Sequence, residues 1–297
     1  MSAEAIKKLR DITGAGMLDC KKALAETNGD FEAAVDFLRK KGLALAASKA
    51  GRVAAEGAVA LHVMGTKGAL IELNSETDFV ARNPDFQKVA EEVATLACET
   101  QCDFETLKTK TEVKITELVA TIKENMQLRR SAVLSVDKGI VASYMHNAYA
   151  PDLGKIGVLV ALESNADMND LNEVGRKIAM HIAAVKPKAL TIDRLPTDLV
   201  EREKAIFIDQ AKASGRPDDI IQKMVEGRMR KFYEEAVLLE QAFVLDNKLT
   251  VKEFIAEKAK TFSTDIILKD YAYFVLGEGI EKETTDFAAE VMAQVKS

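Results

Sequence analysis

The side chains best suited to covalent or metal chemistry are few: Cys20, Cys98 and Cys102, with His62, His146 and His181. A paired Cys and His can make a thiolate nucleophile, and together they can hold zinc. Cys98 and Cys102 stand four apart on a predicted helix, but no histidine lies near them in sequence to complete a metal set. An odd, sparse cysteine set suits buried thiols in a reducing compartment better than a disulfide framework. His181 sits on the apolar helix "IAMHIAAV" and reads as a core histidine. With no nucleophile elbow, P-loop or dinucleotide glycine fingerprint, the reading is no catalytic residue, no cofactor and no metal.

A different chemistry, recognition by an exposed ring, is raised by "SETDFVARNPDF" at residues 75–86. Asn83-Pro84 supplies an N-cap and first helical residue, so Asp78-Phe79-Val80-Ala81 falls between a strand and a helix. On pattern alone Phe79 either fills a local gap or is held out for a partner. The same tripeptide recurs at Thr285-Asp286-Phe287, where Thr285 reads as the cap of an amphipathic helix bearing Phe287, Val291 and Val295.

The elements that position these residues follow from periodicity and stops. Three short helices ending at Gly14, Gly29 and Gly42 make a compact N-terminal module. A linker, partly helical, follows it. "GAVALHVMGTKGALIELNSE" reads as a β-hairpin, and "GIVASYMHNAYAPDLGKIGVLVALES" as a second with a longer loop. An ungapped register relates the two: Leu162 to Leu73 is a shift of 162 − 73 = 89, which also pairs Ser164 with Ser75, Asp167 with Asp78 and Ile178 with Val89. The second copy has Met168 at the Phe79 position, so sheet-to-helix packing does not demand an aromatic there. Residues 103–137 read as a helical connection, 197–235 as a helical hairpin that either packs on the body or associates, "AVLLEQAFVLD" as a strand, and "TVKEFIAEKAKTF" as a helix.

Length and charge bound the function. The 297 residues, 47% hydrophobic, can bury more than one core. With 47 acidic and 41 basic residues the net charge is −6, which opposes a phosphate backbone, and direct nucleic-acid binding is not expected. No segment approaches the roughly 20 apolar residues of a membrane span. Met1-Ser2-Ala3-Glu4 opens without a signal pattern, so a cytoplasmic location and no membrane partner are expected.

The strings "LRDITGAGMLDCKKAL", "SETDFVARN", "IAMHIAAVKP", "MVEGRMRKFYEEAVLLEQAFV" and "GEGIEKETTDFAAEV" resemble, in order and over essentially the whole chain, the elongation factor Ts family, guanine-nucleotide exchange factors of bacterial translation. The resemblance implies an α+β fold with an N-terminal three-helix (UBA-like) module and linker at 1–54, and a core of two related subdomains with antiparallel sheets. The first subdomain would span 55–139 and the second 140–196 and 231–265, interrupted by a dimerising helical hairpin at 197–230; a C-terminal helical module would occupy 266–297. It implies elongation factor Tu as partner, GDP-bound and nucleotide-free, and a homodimer through the hairpin. Phe79 would enter the partner's nucleotide-binding domain near its Mg²⁺ and phosphate site, within a contact segment Thr77, Asp78, Phe79, Val80, Ala81, Arg82 and Asn83. Arg10, Met17 and Lys21 would face the partner from the N-terminal module, Phe243 and Val244 would touch a second partner domain, and the C-terminal helix would clasp the first. Two residues depart from the family pattern: Ala242 where proline is usual, and Arg82 where lysine is common. Two rival classes are an adaptor working through the N-terminal helices alone and an enzyme built on Cys20, His62 or His181.

Overall fold

The computed structural model describes residues 2–281. The chain opens with α1 (Ala3–Thr13), α2 (Met17–Glu26) and α3 (Phe31–Lys49). Ser2 and Asp30 cap α1 and α3 by accepting from the N–H groups of Ala5 and Ala33, and Gly14 ends α1 at φ +66°. Leu9, Cys20, Ala23, Leu24, Ala34 and Leu38 form this module's core. Gly42 does not stop α3, which runs on to Lys49 through the expected linker. Its glycine serves clearance: a Cβ there would come 3.0 Å from the Ala120 Cβ of α5 (Phe104–Ile122).

The core is two copies of one unit. The first runs β1 (Glu56–Met64), β2 (Lys67–Ser75), α4 (Pro84–Thr100), α5 and β3 (Met126–Ser135). The second runs β4 (Gly139–Ala150), β5 (Leu153–Ser164), α6 (Met168–Val185), the hairpin of α7 (Thr197–Lys212) and α8 (Asp218–Ala236), a small ribbon of β6 (Ala242–Phe243) and β7 (Asp246–Thr250), α9 (Val251–Thr261) and β8 (Ile266–Val275). The helical hairpin is thus an insertion between α6 and α9, where the first copy joins α4 to α5 directly.

The ladder slips repeat with the same shift as the sequence, and a strained glycine recurs at a shift of 139 − 57 = 82. The β2–β3 ladder slips between Glu72 and Leu73, and the β5–β8 ladder between Ala161 and Leu162, again 161 − 72 = 89. Gly57 and Gly139 sit at φ +111° and +110°, and a Cβ on them would fall 2.3 Å from the Leu73 carbonyl oxygen and 2.1 Å from that of Leu162.

Several expectations are corrected here. Residues 103–137 are not one helical connection: the chain turns at Lys123 (φ +67°) and residues 126–135 form β3. The branched and apolar Leu128 and Val133 belong to that strand. "AVLLEQAFVLD" is not a long strand. α8 continues to Ala236, a 3-10 turn follows, and only Ala242–Phe243 is extended. Leu238 and Phe243 are buried as anchors of an irregular loop, so apolar content there reflects docking, not strand pairing. The second hairpin has longer strands, not a longer loop: β4 and β5 are separated by Pro151 and Asp152. Residues 266–275, expected at the head of the C-terminal module, form β8 against β5. Thr285 and the tail helix expected after it lie outside the described residues.

The two halves share one six-stranded sheet. β5 begins on β1 at Val59 and Ala60, then continues between β4 and β8. Alternation divides the side chains: Ala58, Ala60, Ile71 and Leu73 pack under α4 and α5, while Val59, Leu61 and Leu70 meet Val141, Leu159 and Phe274 between the halves. Val158, Val160 and Leu162 face α6 and α9. Glu72, with no solvent exposure, lies where the halves join. The bulge presents the adjacent Arg129 and Arg130 together to its carboxylate, at 3.0 and 2.6 Å, and the Gly277 N–H after β8 donates at 2.8 Å. Burial alone would push this carboxyl up; the Gly277 N–H, Arg130 and Asn74 outweigh that and hold it below the usual range.

Gly57→Ala and Gly139→Ala should each destabilise by at least about 1–3 kcal/mol, the usual cost of such backbone strain. Gly227, inside α8 with open space where a Cβ would stand, should show the opposite sign: Gly227→Ala gains about 0.5–1 kcal/mol from helix propensity. Urea midpoints for the three variants check both signs.

Candidate protein-docking site

In the second unit Asp167 caps α6 directly, its Oδ1 accepting from the Asn169 N–H at 2.8 Å, and Met168 is the first helical residue. Asp78 is its counterpart, yet α4 begins at Pro84, five residues after the Met168 equivalent (84 − (168 − 89) = 5). Those five residues become a turn. Asn83 caps α4 with its Oδ1 accepting from Asp85 and Phe86 at 2.8 and 3.3 Å, as the Asn-Pro pair predicts.

Within the turn the side chains divide sharply. Phe79 is 80% exposed and Asp78 is exposed, whereas Val80 and Ala81 are buried against the first core at 4% and 1% exposure. Arg82 is exposed, and Thr77 and Asn83 are half-buried. Both ends of the turn are fastened. The Thr77 N–H and Oγ1 donate to the two oxygens of Glu124 at 2.9 and 2.7 Å, and the Gln87 side-chain amide donates to the Ala81 carbonyl at 2.9 Å. Asn125 N–H donates to Glu76 at 2.6 Å, crossing the same two segments in the other direction. Burial, then the carboxylates of Glu56 and Asp78, push the Tyr149 phenol up. Glu124 was not singled out by the sequence, because nothing local marks a partner 47 residues away.

Arg10, Met17 and Lys21 are exposed on α1 and α2, beside the exposed Ile12 and Leu18 at 60% and 83%. The end of α5 carries this module as well. A Cβ on Gly14 would come 3.2 Å from Thr121 Oγ1, and Asp19 lies 3.8 Å from Lys123 Nζ. The N-terminal module and the Phe79 turn are therefore mounted on consecutive residues, 120–124.

Of Phe243 and Val244, the first belongs to the second core instead. Phe243 is 1% exposed and stacked on Phe254 at 4.3 Å, so the outward side chain of the pair is Val244, at 46%. His181, fully buried, fixes this loop. Its Nδ1 accepts from the Val244 N–H at 3.2 Å, so Nε2 carries the proton and donates to Gln241 Oε1 at 2.9 Å. Gln241, at φ −68° and ψ 140°, already has the extended geometry of a residue before proline, so the loop keeps that shape with Ala242.

Cys20 and Cys98 are buried, and burial pushes both thiols up, away from nucleophilic character. Among the described residues no group of three or more His, Cys, Asp or Glu could hold a metal ion, and no helix is long and apolar enough to cross a membrane.

The fold defines a class: a duplicated α+β core with an N-terminal helical module and one exposed ring on an anchored turn. A family model for elongation factor Ts matches residues 76–278, and one for a UBA-like domain matches residues 2–42. The chain is 54% identical to elongation factor Ts of Rhodospirillum rubrum, with 100% of this chain and 99% of that protein covered, and 54% identical to that of Rhodospirillum centenum, with 98% and 97% covered. It is also 54% identical to elongation factor Ts of Brucella anthropi, over 100% of this chain and 99% of that protein. The chain belongs to the elongation factor Ts family.

Burial holds the His181 imidazole below its ordinary value, with the Gln241 hydrogen bond opposing only in part. Protonation would set an N–H against the Val244 N–H. The unfolded chain takes up this proton below about pH 6.5 while the native one resists it, so stability should fall as pH drops through and below that point. Urea midpoints between neutral and mildly acidic pH should decline more steeply for the wild type than for His181→Asn.

Proposed function

We propose that this chain is a guanine-nucleotide exchange factor that docks on GDP-bound elongation factor Tu, inserts the Phe79 turn beside the partner's Mg²⁺ and phosphate site and promotes GDP release, so that GTP can follow. The observation carrying this reading is a phenylalanine 80% exposed on a turn fastened at both ends, in a member of this family. Exchange of this kind makes and breaks no covalent bond. The factor lowers its partner's affinity for nucleotide, and nucleotide lowers the partner's affinity for the factor by the same ratio.

The ring is suited to convert binding into distortion, since the site it enters closes when nucleotide and Mg²⁺ are bound. Thr77, Asp78, Arg82 and Asn83 frame it, while the buried Val80 and Ala81 hold the turn to the core. Arg10, Met17 and Lys21, with the Val244 loop backed by Phe243, supply affinity from separate surfaces. The net charge of −6 suits a protein partner rather than nucleic acid, and the setting is cytoplasmic.

Phe79→Ala should slow factor-stimulated GDP release about tenfold or more, because burying such a ring is worth about 1.5–3 kcal/mol and each 1.4 kcal/mol is about tenfold. It should weaken the nucleotide-free complex less. Fluorescent-GDP release and apo-complex affinity, measured side by side, check this; unchanged release sinks the wedge role.

We further propose a homodimer through the hairpin. The apolar stripes of α7 and α8 pack on each other and on Ala189, Leu195 and Val237, so association would rest on the exposed Ile206 and Ile220. Sedimentation velocity should show Ile206→Asp shifting dimer to monomer without lowering exchange at saturating factor.

A further inference from the structure

A phenylalanine left in water beside an apolar core is unfavourable where it stands, because folding the ring back onto the protein would bury it. Val80 and Ala81, its immediate neighbours, do turn inward. Something must keep position 79 outside. On the Ala81 side that is Gln87, from within the helix that follows. On the Thr77 side it is Glu124, from the end of α5, whose two oxygens each take one of the two donors Thr77 has to offer.

The second unit is an internal comparison. The β3 and β8 registers relate Leu128 to Leu268, a shift of 268 − 128 = 140, which places Thr264 at the position of Glu124. Lys123 and its counterpart Ser263 both have positive φ, at +67° and +53°, so the loop path is the same. Thr77 corresponds to Ala166, however, whose N–H donates to Ser164 Oγ at 3.1 Å, and Ser164 Oγ donates to the Asp265 carbonyl. The copy with a directly capped helix closes this corner with a serine. The copy with an exposed ring keeps the serine, Ser75 Oγ donating to the Thr77 carbonyl at 2.9 Å, and adds a carboxylate clasp on the Thr77 N–H and hydroxyl.

We infer that Glu124 is a positioning residue for nucleotide exchange: its carboxylate clasps Thr77 and fixes the turn that holds Phe79 away from the core. The inference rests on Phe79 being the ring that enters the partner. Because residues 120–123 carry the N-terminal module, the clasp also sets that module and the ring in one frame. Glu124 touches neither nucleotide nor the reacting site of the partner; it acts through Thr77.

The test measures GDP release from elongation factor Tu with full-length wild type, Glu124→Ala, Phe79→Ala and the double variant. Glu124→Ala should lower the release rate at saturating factor about tenfold, the scale of leaving one residue's backbone unfixed. The half-saturating concentration should change less than about twofold, since the other docking surfaces persist. The double variant should be no slower than Phe79→Ala. Multiplying effects, or an unchanged rate for Glu124→Ala, overturn the clasp alone; an unchanged rate for Phe79→Ala overturns the wedge and the clasp with it. The chain has no tryptophan, so Phe79→Trp gives a single reporter. Adding Glu124→Ala should lower its anisotropy or shift its emission to the blue, and an unchanged signal overturns the inference. If Glu124→Ala fails to fold, Thr77→Val removes one donor of the same clasp and should slow release in the same direction with an unchanged melting temperature.

Discussion

The carboxylate of Glu72, closed to solvent, is the constraint around which the two halves assemble. A buried charge is tolerated only when it is paired and its lone pairs are filled. Two arginines, Asn74 and the Gly277 N–H do this, and each comes from a place that must therefore be held: the β3 bulge, the same strand, and the chain just past β8. Arg130 also lies over the Phe274 ring at 4.3 Å, joining the polar cluster to the apolar layer between the halves. The second unit has Ala161 at this position, so the charge serves the joint between the copies rather than the unit itself.

On that frame, α5 sets how the N-terminal module and the Phe79 turn are held. Its last turn and the loop after it meet Gly42, Gly14, Asp19 and Thr77 in succession through residues 120–124. Short glycine contacts let the N-terminal helices sit close, and the two charged side chains extend to what lies farther off. A helix end used in this way gives a module and a loop, far apart in sequence, one support. The Val244 loop is held separately, through His181 and Phe243, so its spacing from Phe79 depends on the shared sheet.

Duplication supplied the scaffold, and a local change supplied the feature that distinguishes it. Both copies keep the strained glycine, the bulge and the left-handed residue before the last strand. They part at Asp78 and Asp167. One aspartate caps a helix; the other precedes five residues that have left the helix, with Asn83-Pro84 restarting it. A proline at the first helical position makes that later start favourable and disfavours helix in the residue before it.

The sequence alone determined the parts with local causes. Gly14 and Gly29 marked the stops of the first two N-terminal helices, the Asn-Pro pair located the start of α4, and the 89-residue shift revealed the repeat. The same local causes misled at Gly42, whose role is clearance from Ala120, and at "VLLEQAFV", whose apolar residues anchor a loop. β3 and β8 escaped notice because a strand mixing apolar and charged residues resembles an amphipathic helix until its pairing partner is known. For Phe79 the pattern left two readings, core or exposed. Tertiary structure decided it, because Glu124, chief among the groups that hold the ring outside the core, reaches Thr77 only once β3 has paired with β2.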